Sequence, residues 1–407
     1  MAEVIRRPGA QHGKSPAPNS NGIGNKSSSS SSSSSIDRCK EKRRLRIQVR
    51  RESVLAANGR VIPSRRSIAP TPQQDGSNEE IHKQQICGGG GGGMAALEEM
   101  RRRVTSYVPV VGAVAFVGRR SKMEDAISVK TNLCSPPINH RLPLHFFGVF
   151  DGHGGAHFAI MCKQNMHSIL EEEVMGLEKH VGPIDVMDER VLRWAWRRVF
   201  RSCFSRTELL ALHTCGCCGT RDFRCSCVDR REVLQSGSTA VAVVLTQEHI
   251  IVANCGDSRA VLFRRGSVVP LSFDHNPANR ADERVRIKVV GGCIVNLDIA
   301  RVEGVLDMTR AIGDKYLKPY VISEPEVTIE RRDSEDEFLI LASDGLWDVI
   351  SSKMACHVVR DCMKKEGPGL ITSRSASAAT LLTRLALARG SSDNIGVVVV
   401  DLNKDNV

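Results

Sequence analysis

From about Tyr107 onward the chain is built of short β-branched and aromatic runs, and several of them stop at an aspartate. The runs are Val110–Val117, Leu144–Phe150, Thr239–Leu245, Ile250–Asn254, Ala260–Phe263, Glu337–Ala342 and Ile395–Leu402. Bounded by Gly, Pro, Asp or Asn, they read as strands. Between them lie stretches of helical periodicity at Ala156–Val174, Val191–Leu212, Ala281–Val290, Lys353–Lys364 and Ala378–Arg389. In the last, Ala378, Leu381, Leu382 and Leu385 follow i, i+3, i+4, i+7, and Gly390 supplies a helix stop. The order is strands, two long helices, strands, then a mixture, which excludes the regular alternation of a parallel doubly wound sheet. It predicts an α+β domain in which antiparallel sheets stack and helices cover their outer faces.

That pattern does not extend to the first quarter of the sequence. Residues 1–106 hold 19 Lys and Arg against 9 Asp and Glu, whereas residues 107–407 hold 38 against 37. The chain's net charge of +11 therefore resides almost wholly in the first quarter, which argues against a folded basic nucleic-acid-binding domain. Nine consecutive serines (Ser27–Ser35) and six glycines (Gly88–Gly93) mark that region as one that buries too little apolar surface to order itself. Between them, Arg38–Arg51 carries eight Lys and Arg in fourteen residues, the composition of a nuclear-import or acidic-partner segment. The expected organisation is a disordered basic N-terminal region, 1–106, and one domain, 107–407. No apolar run approaches the roughly 20 residues of a membrane span, and no secretory or lipidation signal is expected. Fourteen cysteines without such a signal suit a reducing compartment, the nucleus and cytoplasm.

Four carboxylates share a strand-end setting: Asp125 before a short strand, Asp151 and Asp344 each closing an apolar run and followed by Gly, and Asp393 directly before the last strand. A lone Asp-Gly is ordinarily a turn. Repetition at several strand ends instead predicts a rim of oxygen ligands, which favours hard cations such as Mg²⁺ or Mn²⁺. Asp151-Gly-His-Gly-Gly removes side chains around Asp151, so backbone and metal can approach closely. Two divalent ions roughly 3.5–4 Å apart could share Asp151 and activate a bridging water. Arg120 could hold a phosphate oxyanion, and His153 could protonate a leaving alkoxide. The combination describes phosphomonoester hydrolysis.

Arg120-Ser-Lys-Met-Glu-Asp-Ala, Asp151-Gly-His-Gly-Gly, Ser236-Gly-Ser-Thr-Ala, the Asn254–Leu262 segment, Thr309-Arg-Ala-Ile-Gly-Asp, Ala342-Ser-Asp-Gly-Leu-Trp-Asp-Val and Ser392-Asp-Asn resemble, in order, the motif series of type 2C metal-dependent Ser/Thr phosphatases. The resemblance spans about residues 107–403. It implies a β-sandwich of two antiparallel sheets flanked by helices, with two Mg²⁺ or Mn²⁺ ions in the cleft. It also implies that Asp151 bridges both ions and that the Gly152 carbonyl and a water-mediated Glu124 complete one site. Asp344 and Asp393 hold the other ion, Arg120 holds the substrate phosphate and His153 is the general acid. Asp125, Asp257 and Asp314 are implied to be supporting or structural. Where some relatives have an Asp for a third ion, this chain has Leu234, although Asp348 is retained.

Glu303–Val321, followed by Glu324-Pro-Glu-Val, is similar to the plant clade A enzymes, which restrain abscisic-acid signalling by dephosphorylating subfamily-2 sucrose-nonfermenting-related kinases. The Arg38–Arg51 segment and the Cys-rich insert, 213–228, resemble the ABA-hypersensitive germination branch. Where clade members inhibited by hormone-bound receptors carry a Trp on the flap, this chain has Leu297, which lacks the indole N–H. The expectation is weak or absent receptor inhibition.

Cys215, Cys217, Cys218, Cys225 and Cys227 crowd thirteen residues. Four thiolates could close a structural Zn²⁺ site, but Cys-x-Cys spacing is tighter than usual and no second knuckle follows, which favours a reduced surface loop. Cys218 and Arg224 lack the flanking His and Gly of a Cys-dependent phosphatase. A catalytically silent scaffold is opposed by the complete set of matched carboxylates, Arg120 and His153. Cys255, Cys293, Cys356 and Cys362 read as core or near-core residues. His157, His167, Trp194 and Trp196 read as packing residues, and His275 has no assigned role.

Overall fold

The computed structural model describes residues 108–177, 188–214, 235–296, 298–364 and 373–403, all within a unit spanning residues 69–407. The expectations for the N-terminal region, the cysteine cluster, Leu234 and Leu297 fall outside the described residues.

Every residue of β3 (Leu144–Phe150) is buried, but alternate side chains serve different cores, as the two-residue period of a strand requires. Phe147 and Val149 point into one cluster, whereas Leu144, Phe146 and Phe150 point into another. The same split occurs in β6 (Ala240–Leu245): Val241, Val243 and Leu245 join the first cluster, and Ala240, Ala242 and Val244 the second. On the opposing sheet, Leu339 and Leu341 of β14 (Asp336–Ala342) and Val398 and Val400 of β15 (Ile395–Asp401) meet that first cluster. Their alternates Phe338, Ile340, Val397 and Val399 belong to a third. The first cluster is therefore the filling between two sheets, and each sheet's other face receives helices. Continuous apolar runs, rather than apolar–polar alternation, are what a sheet covered on both faces demands.

One sheet has the order β13 (Glu326–Arg331), β7 (His249–Cys255), β6, β3 and β2 (Ala126–Cys134). The other runs β1 (Val111–Phe116), β15, β14, β8 (Arg259–Arg264) and β9 (Ser267–Pro270). All neighbouring pairs are antiparallel. Helices α1 (His157–Met175) and α2 (Glu189–His213) pack on the first sheet. On the second lie α5 (Ser352–Met363), α6 (Arg374–Ala388) and the one-turn α4 (Asp344–Trp347). Asp188 caps α2 by accepting from the Arg190 N–H, and Ser373 caps α6 by accepting from the Ala376 N–H. Gly390 follows α6 at φ +93°, the left-handed stop expected there.

Beside the sandwich, α3 (Ala281–Val289) and the hairpin β10 (Ile294–Asn296)–β11 (Ala300–Val302) share a small core around Ile287, Val302, Tyr320 and Val321. A three-stranded ribbon of two-residue strands, β12 (Ile312–Gly313), β5 (Gly237–Ser238) and β4 (Gly152–His153), joins three distant segments. Among the described residues, no helix is long and apolar enough to cross a membrane. Trp196 is buried, but Trp194, expected to pack, is 46% exposed. Its place on the outer face of α2 puts it under the Arg198 guanidinium, 5.9 Å from the ring centroid. Cys255, Cys356 and Cys362 are buried and Cys293 half-buried.

Candidate metal centre and active site

Asp151 follows β3 and Asp344 follows β14, so the two carboxyls leave facing sheets at the same end of the sandwich. Asp125 enters β2 and is paired in register through Ala126 with Phe150, which puts it beside Asp151. The Asp151 and Asp344 carboxyls lie close enough to interact through a side-chain hydrogen bond, and Asp125 interacts with Asp151 in the same way. Burial first, and then the charges of Asp344, Asp125 and Asp257, push Asp151 well above the usual carboxylate range. Burial raises Asp125 to about 7 and Asp344 to about 6, with neighbouring aspartates adding to both. Asp257 is also raised, by burial and then by Asp344 and Asp307. Asp344 Oδ1 and Asp257 Oδ1 are shielded from solvent with no hydrogen-bond partner among the described residues.

Backbone and hydroxyl groups hold this cluster in place. Thr239 Oγ1 accepts the Asp151 N–H at 3.0 Å, the Thr239 N–H donates to the Asp151 carbonyl at 2.8 Å, and the Thr239 hydroxyl pairs with Ser258. Ser343 Oγ donates to Asp125 Oδ2 at 2.7 Å and accepts the Gly396 N–H at 2.9 Å, linking both sheets. Gly152 donates to the Glu124 carbonyl at 3.2 Å. A Cβ on Gly152 would stand 2.7 Å from that oxygen, so only glycine allows the Glu124 backbone so close to Asp151.

Asn394 organises the other rim. Its Nδ2 donates to the Val117 and Lys122 carbonyls at 2.7 and 3.0 Å, and its Oδ1 accepts the Glu124 N–H at 2.7 Å. The loop carrying Arg120 and Glu124 is thereby fastened beside Asp393. Arg120 is exposed, and its guanidinium meets Asp393 Oδ2 at 2.5 Å. The same carboxylate, ahead of Glu124 and Asp344, raises the Arg120 pKa. The expected phosphate-binding arginine is thus engaged with an expected metal ligand, a cation answering an anion at the rim.

His153 follows Gly152 on β4, with Nε2 2.7 Å from Asp314 Oδ2. Burial lowers its pKa, but the hydrogen bond and charge of Asp314 outweigh burial and raise it. Elsewhere, His157 Nε2 bonds to the Ala211 carbonyl, and buried His275 contacts Gly256 and Glu326. His275 thereby touches the residue that precedes Asp257, whereas His157 is engaged with α2.

The donor chemistry fits a divalent cation. Four aspartates with elevated pKa values and two orphaned carboxylate oxygens repel one another until positive charge arrives, and an oxygen-only set selects Mg²⁺ or Mn²⁺. Among the described residues, no three His, Cys, Asp or Glu side chains already converge as a closed cage. The match therefore lies in chemistry rather than preformed coordination. Sequence reasoning singled out the carboxylates, Arg120 and His153. It did not single out Asn394, Ser343, Thr239 or Gly237 individually, although each sits inside a motif that it quoted.

The family model described as Protein phosphatase 2C matches residues 110–395. Probable protein phosphatase 2C 75 of Arabidopsis thaliana is 50% identical over 317 residues, covering 73% of this chain and 74% of its own. Probable protein phosphatase 2C 9 of Oryza sativa subsp. japonica is 39% identical over 407 residues, covering 89% of each. The fold is shared with a serine-threonine phosphatase 2C from Toxoplasma gondii, at TM-score 0.57 and 23% identity over 73% of this chain and 96% of that one. A C. elegans sex determining protein shares it at TM-score 0.57 and 22% identity, over 76% and 71%. With strand-end carboxylates between two antiparallel sheets and these relatives, the chain belongs to the protein phosphatase 2C family and is a protein-serine/threonine phosphatase.

Proposed function

We propose that this enzyme hydrolyses phosphoserine and phosphothreonine using two divalent cations, Mg²⁺ or Mn²⁺, held by Asp151, the Gly152 carbonyl, Glu124, Asp344 and Asp393. The observation that carries the assignment is the group of buried, mutually repelling aspartates whose Oδ1 atoms at Asp257 and Asp344 have no partner. Cations bound there supply an activated water and screen the phosphate's charge. The chain's own part is positioning and proton transfer. Arg120, released from Asp393, takes a phosphate oxygen with two N–H groups. His153 gives a proton to the departing serine or threonine oxygen. The test is hydrolysis of a phosphothreonine peptide in Mn²⁺ by wild type and Asp151→Ala. Loss of about 10³-fold or more is expected for removing an electrostatic anchor of the transition state; equal rates in the two proteins would overturn the assignment.

The finer biological reading rests on the sequence segments Glu303–Val321 and Arg38–Arg51. On that basis the enzyme acts in the nucleus and cytoplasm as a negative regulator of abscisic-acid signalling, removing phosphate from subfamily-2 sucrose-nonfermenting-related kinases. Leu297 in place of a receptor-engaging Trp supports insensitivity to hormone-bound receptors. Adding hormone and receptor to the assay should leave the rate unchanged, and strong inhibition would refute this reading. Zinc measured on purified protein and on a Cys215/Cys218 double substitution decides whether the cysteine cluster carries a structural ion.

A further inference from the structure

We propose that Asp314 is the positioning residue for His153: it holds the imidazole by Nε2 so that Nδ1 carries the proton to the leaving oxygen. This deepens the reading of His153 as general acid and rests on it. Three sequence-distant motifs are laced into one ribbon, with Gly152 and His153 opposite Ser238 and Gly237, and Ile312 and Gly313 opposite the same two residues. At this edge the ribbon brings two side chains together. Asp314 emerges directly after β12, its N–H donates to the Ser236 carbonyl at 2.9 Å, and Oδ2 lands 2.7 Å from His153 Nε2.

The surroundings are built for this pair. Asp314 is 3% exposed and adopts φ +48°, a left-handed conformation that a non-glycine residue takes mainly when it is Asn or Asp. Gly237 lies between the partners. A Cβ there would come within 2.2 Å of Asp314 Oδ2 and 2.7 Å of His153 Nε2. The middle strand thus keeps a glycine where any side chain would part them. Glu208 of α2 accepts the Gly313 N–H at 2.9 Å and fixes the turn that delivers Asp314. His153 Nδ1, by contrast, is shielded from solvent and has no hydrogen-bond partner among the described residues. With Nε2–H committed to the carboxylate, Nδ1 is the nitrogen left for chemistry.

Water oxygen forms a bond to phosphorus, its two protons staying with the inorganic phosphate product, while the bond from phosphorus to the side-chain oxygen breaks, its electron pair remaining on that oxygen. The Nδ1–H proton moves to the departing oxygen, leaving a neutral hydroxyl and a neutral imidazole still donating Nε2–H to Asp314.

The leaving group supplies the test. Full-length wild type, Asp314→Asn, His153→Gln and the double variant are assayed in Mn²⁺ with a phosphothreonine peptide, whose alkoxide needs the proton, and p-nitrophenyl phosphate, whose leaving group does not. Asp314→Asn should lose about 10- to 100-fold in kcat on the peptide and less than about 3-fold on the aryl ester, because general acid catalysis matters in proportion to leaving-group basicity. Asparagine tolerates the same backbone conformation, so the fold is kept; Gly237→Ala, which parts the pair sterically, should show the same selectivity. The double variant should be no slower than His153→Gln alone, since residues acting as one unit are not additive. Equal loss on both substrates for Asp314→Asn, or additive losses, would show a merely structural aspartate and overturn the proposal. If His153→Gln itself fails to distinguish the substrates, the general-acid reading falls and takes the proposal with it. If His153→Gln discriminates and Asp314→Asn does not, the role of Asp314 alone is refuted.

Discussion

Asn394 commits both amide hydrogens and its carbonyl oxygen to one loop, bonding Val117, Lys122 and Glu124 across 270 to 277 positions of sequence. Replacing it with Ala leaves the Val117 and Lys122 carbonyls and the Glu124 N–H without these partners, at a cost of about 1–3 kcal/mol for each group that stays dry. Because the same loop carries Arg120, the expected outcome is also catalytic. The kcat/KM on a phosphothreonine peptide should fall by about 10²-fold, the scale on which a 1 Å misplacement acts, with thermal unfolding in the same preparation reporting the structural part. An unchanged kcat/KM would mean that Arg120 is placed without this clamp. The contrast with Asp151 explains what could be read residue by residue. Asp151, Asp344 and Asp393 advertise themselves locally, each at the edge of an apolar run, two of them followed by glycine. Asn394, Ser343 and Thr239 work through partners hundreds or tens of positions away, and nothing in their immediate neighbours encodes those bonds. His153 was legible from its motif, but its orientation depends on Asp314, 161 positions on.

Among the elements, α3 is anchored by a buried charge. Glu283 is 2% exposed and takes hydrogen bonds from Arg286 at 2.7 Å and from Arg310 at 2.7 Å. Burial alone would raise its pKa, but the two guanidiniums reverse that and hold it at about 2. A carboxyl whose folded pKa lies below its ordinary value of 4.5 contributes stability that is complete above that value. The contribution is lost as pH falls towards about 2. Resistance to urea should therefore fall between about pH 5 and about pH 2, and Glu283→Gln should flatten that slope while lowering stability near neutrality by about 3 kcal/mol, the cost of breaking a buried pair. An unaltered acid limb in Glu283→Gln would remove Glu283 as its source. The sandwich strands and covering helices were readable because length and period persist in them: Leu144–Phe150 is the same in sequence and structure, and α6 differs from its predicted span mainly at its start. β13, whose Glu-Val-Thr-Ile-Glu-Arg run alternates with charge at an edge, was missed. So were β9, the β10–β11 hairpin and the two-residue strands, which are too short to display any period.

For the whole molecule, the sandwich stacks its apolar faces by placing acidic strand ends at one rim, so the metal-free fold carries a built-in repulsion. Burial and neighbouring aspartates raise Asp125 to about 7 and Asp344 to about 6, and hold Asp151 well above the usual carboxylate range. Here the folded pKa values exceed the unfolded ones. The cluster's protonated form is favourable at low pH, and stability is lost as pH rises from about 4 through about 7. This is the opposite slope to that of Glu283, so a metal-free pH–stability curve should show a maximum between the two limbs. A cation that binds only the folded state removes the upper limb. At 100 times its dissociation constant, Mn²⁺ should add about 2.7 kcal/mol by mass action. Asp344→Asn separates charge repulsion from metal binding, since it deletes one of the crowded charges and one expected ligand while keeping the shape. In EDTA near neutral pH it should unfold at a higher temperature than wild type. With Mn²⁺ added it should gain less than wild type, and its phosphatase activity should be lost, the usual exchange of stability for function at a charged site. Calorimetry of both proteins with EDTA and with Mn²⁺ measures all three effects. Should the variant be less stable than wild type without metal, the acidic rim is held by its hydrogen bonds from Ser343 and Thr239 more strongly than it repels itself.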